Sequence, residues 1–116
     1  MKTASHFTYF GPGRIAISLG APRGAPAGYR IYRTLAPTRD MLKLGYEAYR
    51  PRFFEILAKL DPQREWDHLH ALAAGAEPVL QCFEKPPLDK RNFCHRRMVA
   101  EWFEQHMGVQ VPEIEG

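Results

Sequence analysis

EPVLQCFEKPPLDKRNFCHRRMVAEWFEQHM, residues 77–107, is the stretch from which the fold can be read. EPVLQCFE (77–84) is a short apolar run with the length of a buried strand. KPPLDKR interrupts it with two adjacent prolines and reads as a loop. Asn92 can then cap a helix running roughly from Phe93 to Met107. Within it Met98, Val99, Trp102, Phe103 and Met107 recur at three- and four-residue spacing and make one buried stripe. Gly108 stands where a helix-ending glycine belongs, and VQVPEI offers a further strand. A strand, a helix and a strand in that order form a crossover that pairs the strands in parallel.

Upstream the same alternation continues. RIAISLG (14–20) is a β-branched, mostly apolar run between GPG and GAPRGAP, and reads as a second buried strand. Residues 20–29 hold too much Gly and Pro for a regular element. YRIYRTLAP is a short extended piece, with Pro37 restricting Ala36. TRDMLKLGYEAYRPRFFEIL shows helical spacing after Thr38, a candidate N-cap. Gly45 weakens its middle and Pro51 should divide it, the second segment running from Arg52 to Leu60. Asp61-Pro62 opens another helix, which stops near Gly75. The expectation is one α/β domain over residues 1–116, with a short, largely parallel sheet flanked by helices in two or three layers.

Composition bounds the rest. A chain of 116 residues has room for one ordinary domain, and a 45% hydrophobic content supports a core. No apolar run is long enough to cross a bilayer, and MKTASHFTYF lacks a signal-peptide apolar segment. The expected setting is therefore cytoplasmic, with no membrane partner. Two cysteines do not make a disulfide framework, so free thiols are expected. Net charge is +3, but residues 1–60 carry ten Lys/Arg against three acids while residues 61–116 carry six against ten. Seven of the eleven arginines lie between Arg14 and Arg52. Arginine suits two-pronged recognition of phosphate or carboxylate. The plainer alternative is that the basic half pairs with the acidic half.

In parallel sheets ligands bind outside the carboxyl ends of the strands. If the two strands are neighbours, Ser18 to Arg23, Cys82 to Glu84 and Asn92 to Arg96 converge on one cleft. With Asn92 as cap, Cys94 falls in the first helical turn, where free N–H groups would favour thiolate, as would His95 when protonated, or Arg96 or Arg97 if either is near. The same groups would bind phosphate or carboxylate without a thiol. Packing of a small cysteine against the sheet explains Cys94 as simply. Cys82 sits at a strand end, where most cysteines are apolar packing. Glu84 points to its side of the strand and could orient His95 or a ligand. No metal site is expected: the spacing of Cys82, Cys94, His95, His68 and His70 matches no common zinc arrangement, and neighbours on a helix point apart. Nor is a cofactor expected, since no phosphate-binding loop is present. PRGAPAGYRIYR interleaves Arg23, Arg30 and Arg33 with Tyr29 and Tyr32, a mixture that can hold a phosphate backbone and stack a base.

Taken together, TYF (8–10), IAISLGAPRG (15–24), LAPTRDML (35–42), and LQCFEKP followed by FCHRRMVAEW resemble the bacterial and phage family catalogued as domain of unknown function 488. The resemblance spans nearly the whole chain. Its most specific part is a strand ending in Cys-x-Glu and then a helix opening with Cys-His-Arg. It implies a small α/β fold, a site at Cys94, His95 and Arg96 with Cys82 and Glu84 as the companion motif, and Ser18 and Arg23 on the first-strand segment. It implies no particular reaction. The short KPPLDKR loop departs from the pattern where access to the cleft is decided.

Two functions follow as expectations. In the first, a cleft binds an anionic ligand such as a nucleotide, held by Arg96, Arg23, Ser18, Cys82 and Asn92. Were it an enzyme, Cys94 would be the nucleophile and His95 or Glu84 its proton-transfer partner. In the second, Tyr29, Arg30, Tyr32 and Arg33 make a non-catalytic nucleic-acid surface.

Overall fold

A computed structural model describes residues 1–115. Five strands form one all-parallel sheet: β1 (Lys2–Ser5), β2 (Arg14–Ala16), β3 (Arg30–Ile31), β4 (Val79–Cys82) and β5 (Glu113–Ile114), in the order β3-β2-β4-β1-β5. Three helices join them, α1 (Tyr46–Ala58), α2 (Pro62–Ala73) and α3 (His95–Met107). The chain is an α/β domain, as its alternation of elements predicts. Both α1 and α2 pack on α3, while α2 and α3 rest on the sheet. No helix among the described residues is long and apolar enough to cross a membrane.

β4 is the central strand, and all four of its residues are buried. That is why its sequence is apolar without alternation. It pairs with β2 in the register Ile15↔Leu80 and with β1 in the register Ala4↔Gln81. The core gathers Ile15, Ile17, Phe53, Leu69, Leu80 and Phe103, each fully buried. Gly13 sets the entry to β2 at φ +82°, and its carbonyl accepts from Val79 N at 2.8 Å. A side chain there would place its Cβ 2.0 Å from Glu77 O, so only glycine fits.

Three elements depart from expectation. β1 was not foreseen, because KTAS has no aliphatic run. Its polar residues are buried through tertiary partners: Thr3 Oγ1 donates to Glu113 Oε1 at 2.6 Å, and Ser5 Oγ donates to Phe83 O at 3.1 Å. α1 is one helix rather than two, with Pro51 inside it. Pro51 is exposed, so water can satisfy the carbonyl that its missing N–H leaves free. Gly45 is the N-cap of α1, and Thr38 instead precedes a separate 3₁₀ turn over Arg39–Lys43. α2 follows its prediction closely, with Asp61 Oδ1 accepting from Gln63 N at 3.1 Å and Pro62 in the first turn.

Candidate functional site

The connection leaving β2 runs outward to β3, and the one leaving β4 runs the opposite way through α3 to β5. Neighbouring parallel strands whose connections diverge leave a crevice at their carboxyl ends. A cavity of about 360 Å³ lies there. Ser18 and Gly20 line it from the end of β2, Cys82 and Glu84 from the end of β4, and Cys94 and His95 from the start of α3. Leu44, Tyr49, Phe83 and Phe93 add apolar wall. Residues 18–20, 82–84 and 92–95 therefore meet there, as the sequence suggested, while Arg23 and Arg96, at the ends of two of those stretches, do not line the cavity.

At its inner wall the two sulfurs meet, pairing Cys82 with Cys94 as a disulfide across a Cα–Cα distance of 6.8 Å. Free thiols were expected. The correction arises because β4 and the start of α3, twelve residues apart in sequence, are brought side by side by the intervening loop. Cys94 is itself the N-cap of α3, at φ −138° and ψ 139°, rather than a first-turn residue capped by Asn92. Asn92 folds the loop instead, its Nδ2 donating to Lys85 O at 2.8 Å and to Pro87 O at 2.9 Å.

His95 is buried, with Nε2 2.6 Å from Ile17 O. A carbonyl only accepts, so Nε2 carries the proton and Nδ1 keeps a free lone pair. Nδ1 lies 3.9 Å from Cys94 Sγ. Burial lowers the His95 pKa to about 4, despite the Ile17 hydrogen bond and with a further contribution from Arg96. His95 is thus a neutral acceptor rather than a cation beside Cys94. His6, whose Nε2 lies 2.9 Å from Ser18 Oγ, is also brought to about 4, by burial first and then by Arg96.

Arg96 is fully buried and does not present its guanidinium to the cleft as an anion clamp. Nε donates to Glu113 Oε1 at 3.0 Å and Nη2 to Oε2 at 2.7 Å, a two-pronged pair. Nη1 donates to Cys82 Sγ at 3.2 Å. The guanidinium therefore couples the last strand to one of the two sulfurs. Ser18 Oγ donates to Gly20 O at 2.5 Å, so its hydrogen is already engaged. Among the described residues no buried side-chain nitrogen or oxygen lacks a partner.

Arg23 is exposed on the loop after β2 and does not line the cavity. Arg91 does. Within the Arg/Tyr stretch, two side chains bond to other parts of the fold. Arg33 Nε donates to Leu19 O at 3.3 Å, and the Tyr32 hydroxyl donates to Glu65. Burial and Glu65 raise the Tyr32 pKa to about 12. Arg30 is exposed on β3 and Tyr29 is half-buried beside it. Buried Arg14, at the head of the arginine-rich half, donates to Gly11 O, Pro26 O and Ala27 O and so pins the Gly/Pro loop.

His6, Tyr49, Arg91 and Glu113 went unnoticed in the sequence. Glu113 belongs to a two-residue edge strand and has no local signal. His6 follows a strand whose polar composition concealed it. Cys82 Sγ, Cys94 Sγ and His95 Nδ1 lie within 4.8 Å of one another. The expectation that Cys94 and His95 point apart fails because Cys94, at the cap, has extended rather than helical backbone. Comparison with family models, curated proteins and solved structures finds no match for this chain.

Proposed function

We propose that the cleft carries out thiol–disulfide exchange, with Cys94 and Cys82 cycling between dithiol and disulfide against a small sulfur compound. The observation that carries this reading is the meeting of both sulfurs at the wall of an open cavity, with an acceptor nitrogen beside one and a guanidinium beside the other. The asymmetry assigns the roles. Exchange favours departure of the sulfur best stabilised as thiolate. Arg96 donates to Cys82 Sγ, so Cys82 is the leaving sulfur and an incoming thiolate bonds to Cys94.

When the protein reduces a disulfide R–S–S–R′, the Cys94 thiol, lying beside the His95 Nδ1 lone pair, releases its proton to solvent and its sulfur attacks the substrate. A Cys94–S–S–R bond forms and R′S⁻ leaves. Cys82 thiolate then attacks Cys94 Sγ, forming the Cys82–Cys94 disulfide and releasing RS⁻. The substrate gains two electrons and leaves as two thiolates, which take up from solvent the two protons that the Cys94 and Cys82 thiols released. Arg91 and half-buried Glu84 place opposite charges on the cavity wall. A peptide-like thiol with both ammonium and carboxylate matches that pair better than a polyanionic nucleotide does. On this reading the chain is a small sulfur-redox relative of the family that its Cys-x-Glu and Cys-His-Arg motifs resemble.

The test is equilibration of the native protein in glutathione buffers of stepped ratio, followed by acid trapping, alkylation and mass spectrometry. The wild type should interconvert between two thiols and none. Cys82→Ser should accumulate a glutathione adduct on Cys94, while Cys94→Ser should accumulate far less on Cys82. A pair that never opens in excess reduced glutathione, or a Cys82→Ser protein that takes up no adduct, refutes the proposal.

A further inference from the structure

The three atoms that exchange brings together also form a set of metal-type donors, with the His95 tautomer fixed by Ile17. His95 Nδ1, Cys94 Sγ and Cys82 Sγ converge within 4.8 Å. From these atoms we infer that the reduced protein holds one zinc-class divalent cation, bound by the Cys82 and Cys94 thiolates and by His95 Nδ1, with a fourth position open to the cavity. The proposal rests on the exchange reading in one respect, that the pair opens on reduction.

Three features support it. Metal–sulfur bonds of about 2.3 Å and a metal–nitrogen bond of about 2.0–2.1 Å at tetrahedral angles separate donor atoms by roughly 3.5–3.8 Å. The 3.9 Å from Cys94 Sγ to His95 Nδ1 is close to that spacing, and on reduction the sulfurs part while the widest separation, within 4.8 Å, closes by about 1 Å. Second, a ligating histidine ordinarily donates its other N–H to a carboxylate or a backbone carbonyl, which fixes the ring and its tautomer. His95 does this to Ile17 O at 2.6 Å. Third, two thiolates balance a divalent cation, while the nearby positive charge of Arg96 is already paired with Glu113. Two sulfurs and one imidazole select a borderline or soft ion over magnesium or calcium.

Binding is balanced as two thiols and one divalent cation giving the bis-thiolate complex and two protons. Oxidation to the disulfide removes both sulfur donors, so the cation is released. Metal occupancy and exchange activity therefore exclude one another, and a bound ion would hold the site in its reduced, unreactive form.

The experiment is an anaerobic cobalt titration of reductant-free, reduced protein, followed by zinc displacement. The expected result is one cobalt per chain, with thiolate-to-cobalt charge-transfer absorption in the near ultraviolet and tetrahedral bands in the visible. Zinc should abolish both. The oxidised protein should show neither, and alkylation by iodoacetamide should slow at least tenfold when zinc is bound. His95→Gln, checked by circular dichroism for an intact fold, should weaken cobalt at least tenfold and alter the visible bands. Should His95→Gln not fold, His95→Asn serves the same purpose. Two titratable thiols with no cobalt spectrum overturn the metal site and leave exchange standing. An unchanged spectrum and affinity in the folded histidine variant also overturn it, since the ion would then sit on the sulfurs alone. A pair that cannot be reduced overturns both proposals.

Discussion

Replacing Glu113 by alanine should be among the most damaging single changes at the sheet edge, although Glu113 lies on a two-residue strand. Its carboxylate accepts from Arg96 Nε and Nη2 and from Thr3 Oγ1. Arg96 is wholly buried, whereas the Glu113 side chain is 11% exposed. Removing one partner of a buried pair strands the other charge, at about 3–5 kcal/mol. Partial access of water at Glu113 places the loss near the lower end, about 3 kcal/mol. With an unfolding entropy of about 2.1 cal/mol/K per residue, a chain of this length loses roughly 12 °C in Tm. Urea denaturation of the oxidised protein, followed by tryptophan fluorescence, reads the loss as a lower midpoint at unchanged slope. A companion variant separates stranded charge from lost packing. Arg96→Met with Glu113→Leu removes both charges and should be more stable than Glu113→Ala alone, because a hydrophobic pair of similar volume leaves nothing unpaired. A loss below about 1 kcal/mol for Glu113→Ala, a value typical of exposed pairs, would refute the reasoning. So would a double variant less stable than the single one.

Acid should weaken the oxidised, chelator-treated fold between pH 6.5 and about 4. His95 is brought to about 4 in the folded protein, so over that window the unfolded chain binds the extra proton and stability falls as pH falls. The slope contributed by His95 approaches about 1.4 kcal/mol per pH unit, and urea midpoints measured from pH 7.5 to 4 should lose that share in His95→Gln. A flat wild-type profile would show that the imidazole charges as readily folded as unfolded. Gly13→Ala should cost at least about 2 kcal/mol, since a positive φ and a Cβ 2.0 Å from Glu77 O must both be relieved. An unchanged thermal midpoint would mean that the β2–β4 entry yields freely.

The alternation of elements was written in residues 14–20 and 61–107, because a central parallel strand is apolar on both faces and an amphipathic helix repeats at its own period. Asp61-Pro62 and Gly108 marked helix ends through chemistry that acts over a few residues. Ser18, Cys82, Glu84, Cys94 and His95 could be placed on one cleft for the same reason, since strand ends and helix starts meet wherever parallel strands adjoin. What these residues do in the cleft depended on partners far away in the chain. Arg96 looked like an anion clamp until Glu113, seventeen residues on, was seen to neutralise it. The charge of His95 was open until burial was seen to lower its pKa to about 4, against the pull of its hydrogen bond to Ile17, 78 residues away. KTAS carried no strand signal because its pairing with β4 and the bond from Thr3 to Glu113 replace hydrophobic burial. Local propensity and periodicity act over a turn or a strand, and the sequence alone determined whatever rests on them. Charge state, sulfur pairing and hydrogen-bond tautomer answer to whatever the tertiary fold brings within a few ångströms, and only that fold could decide them.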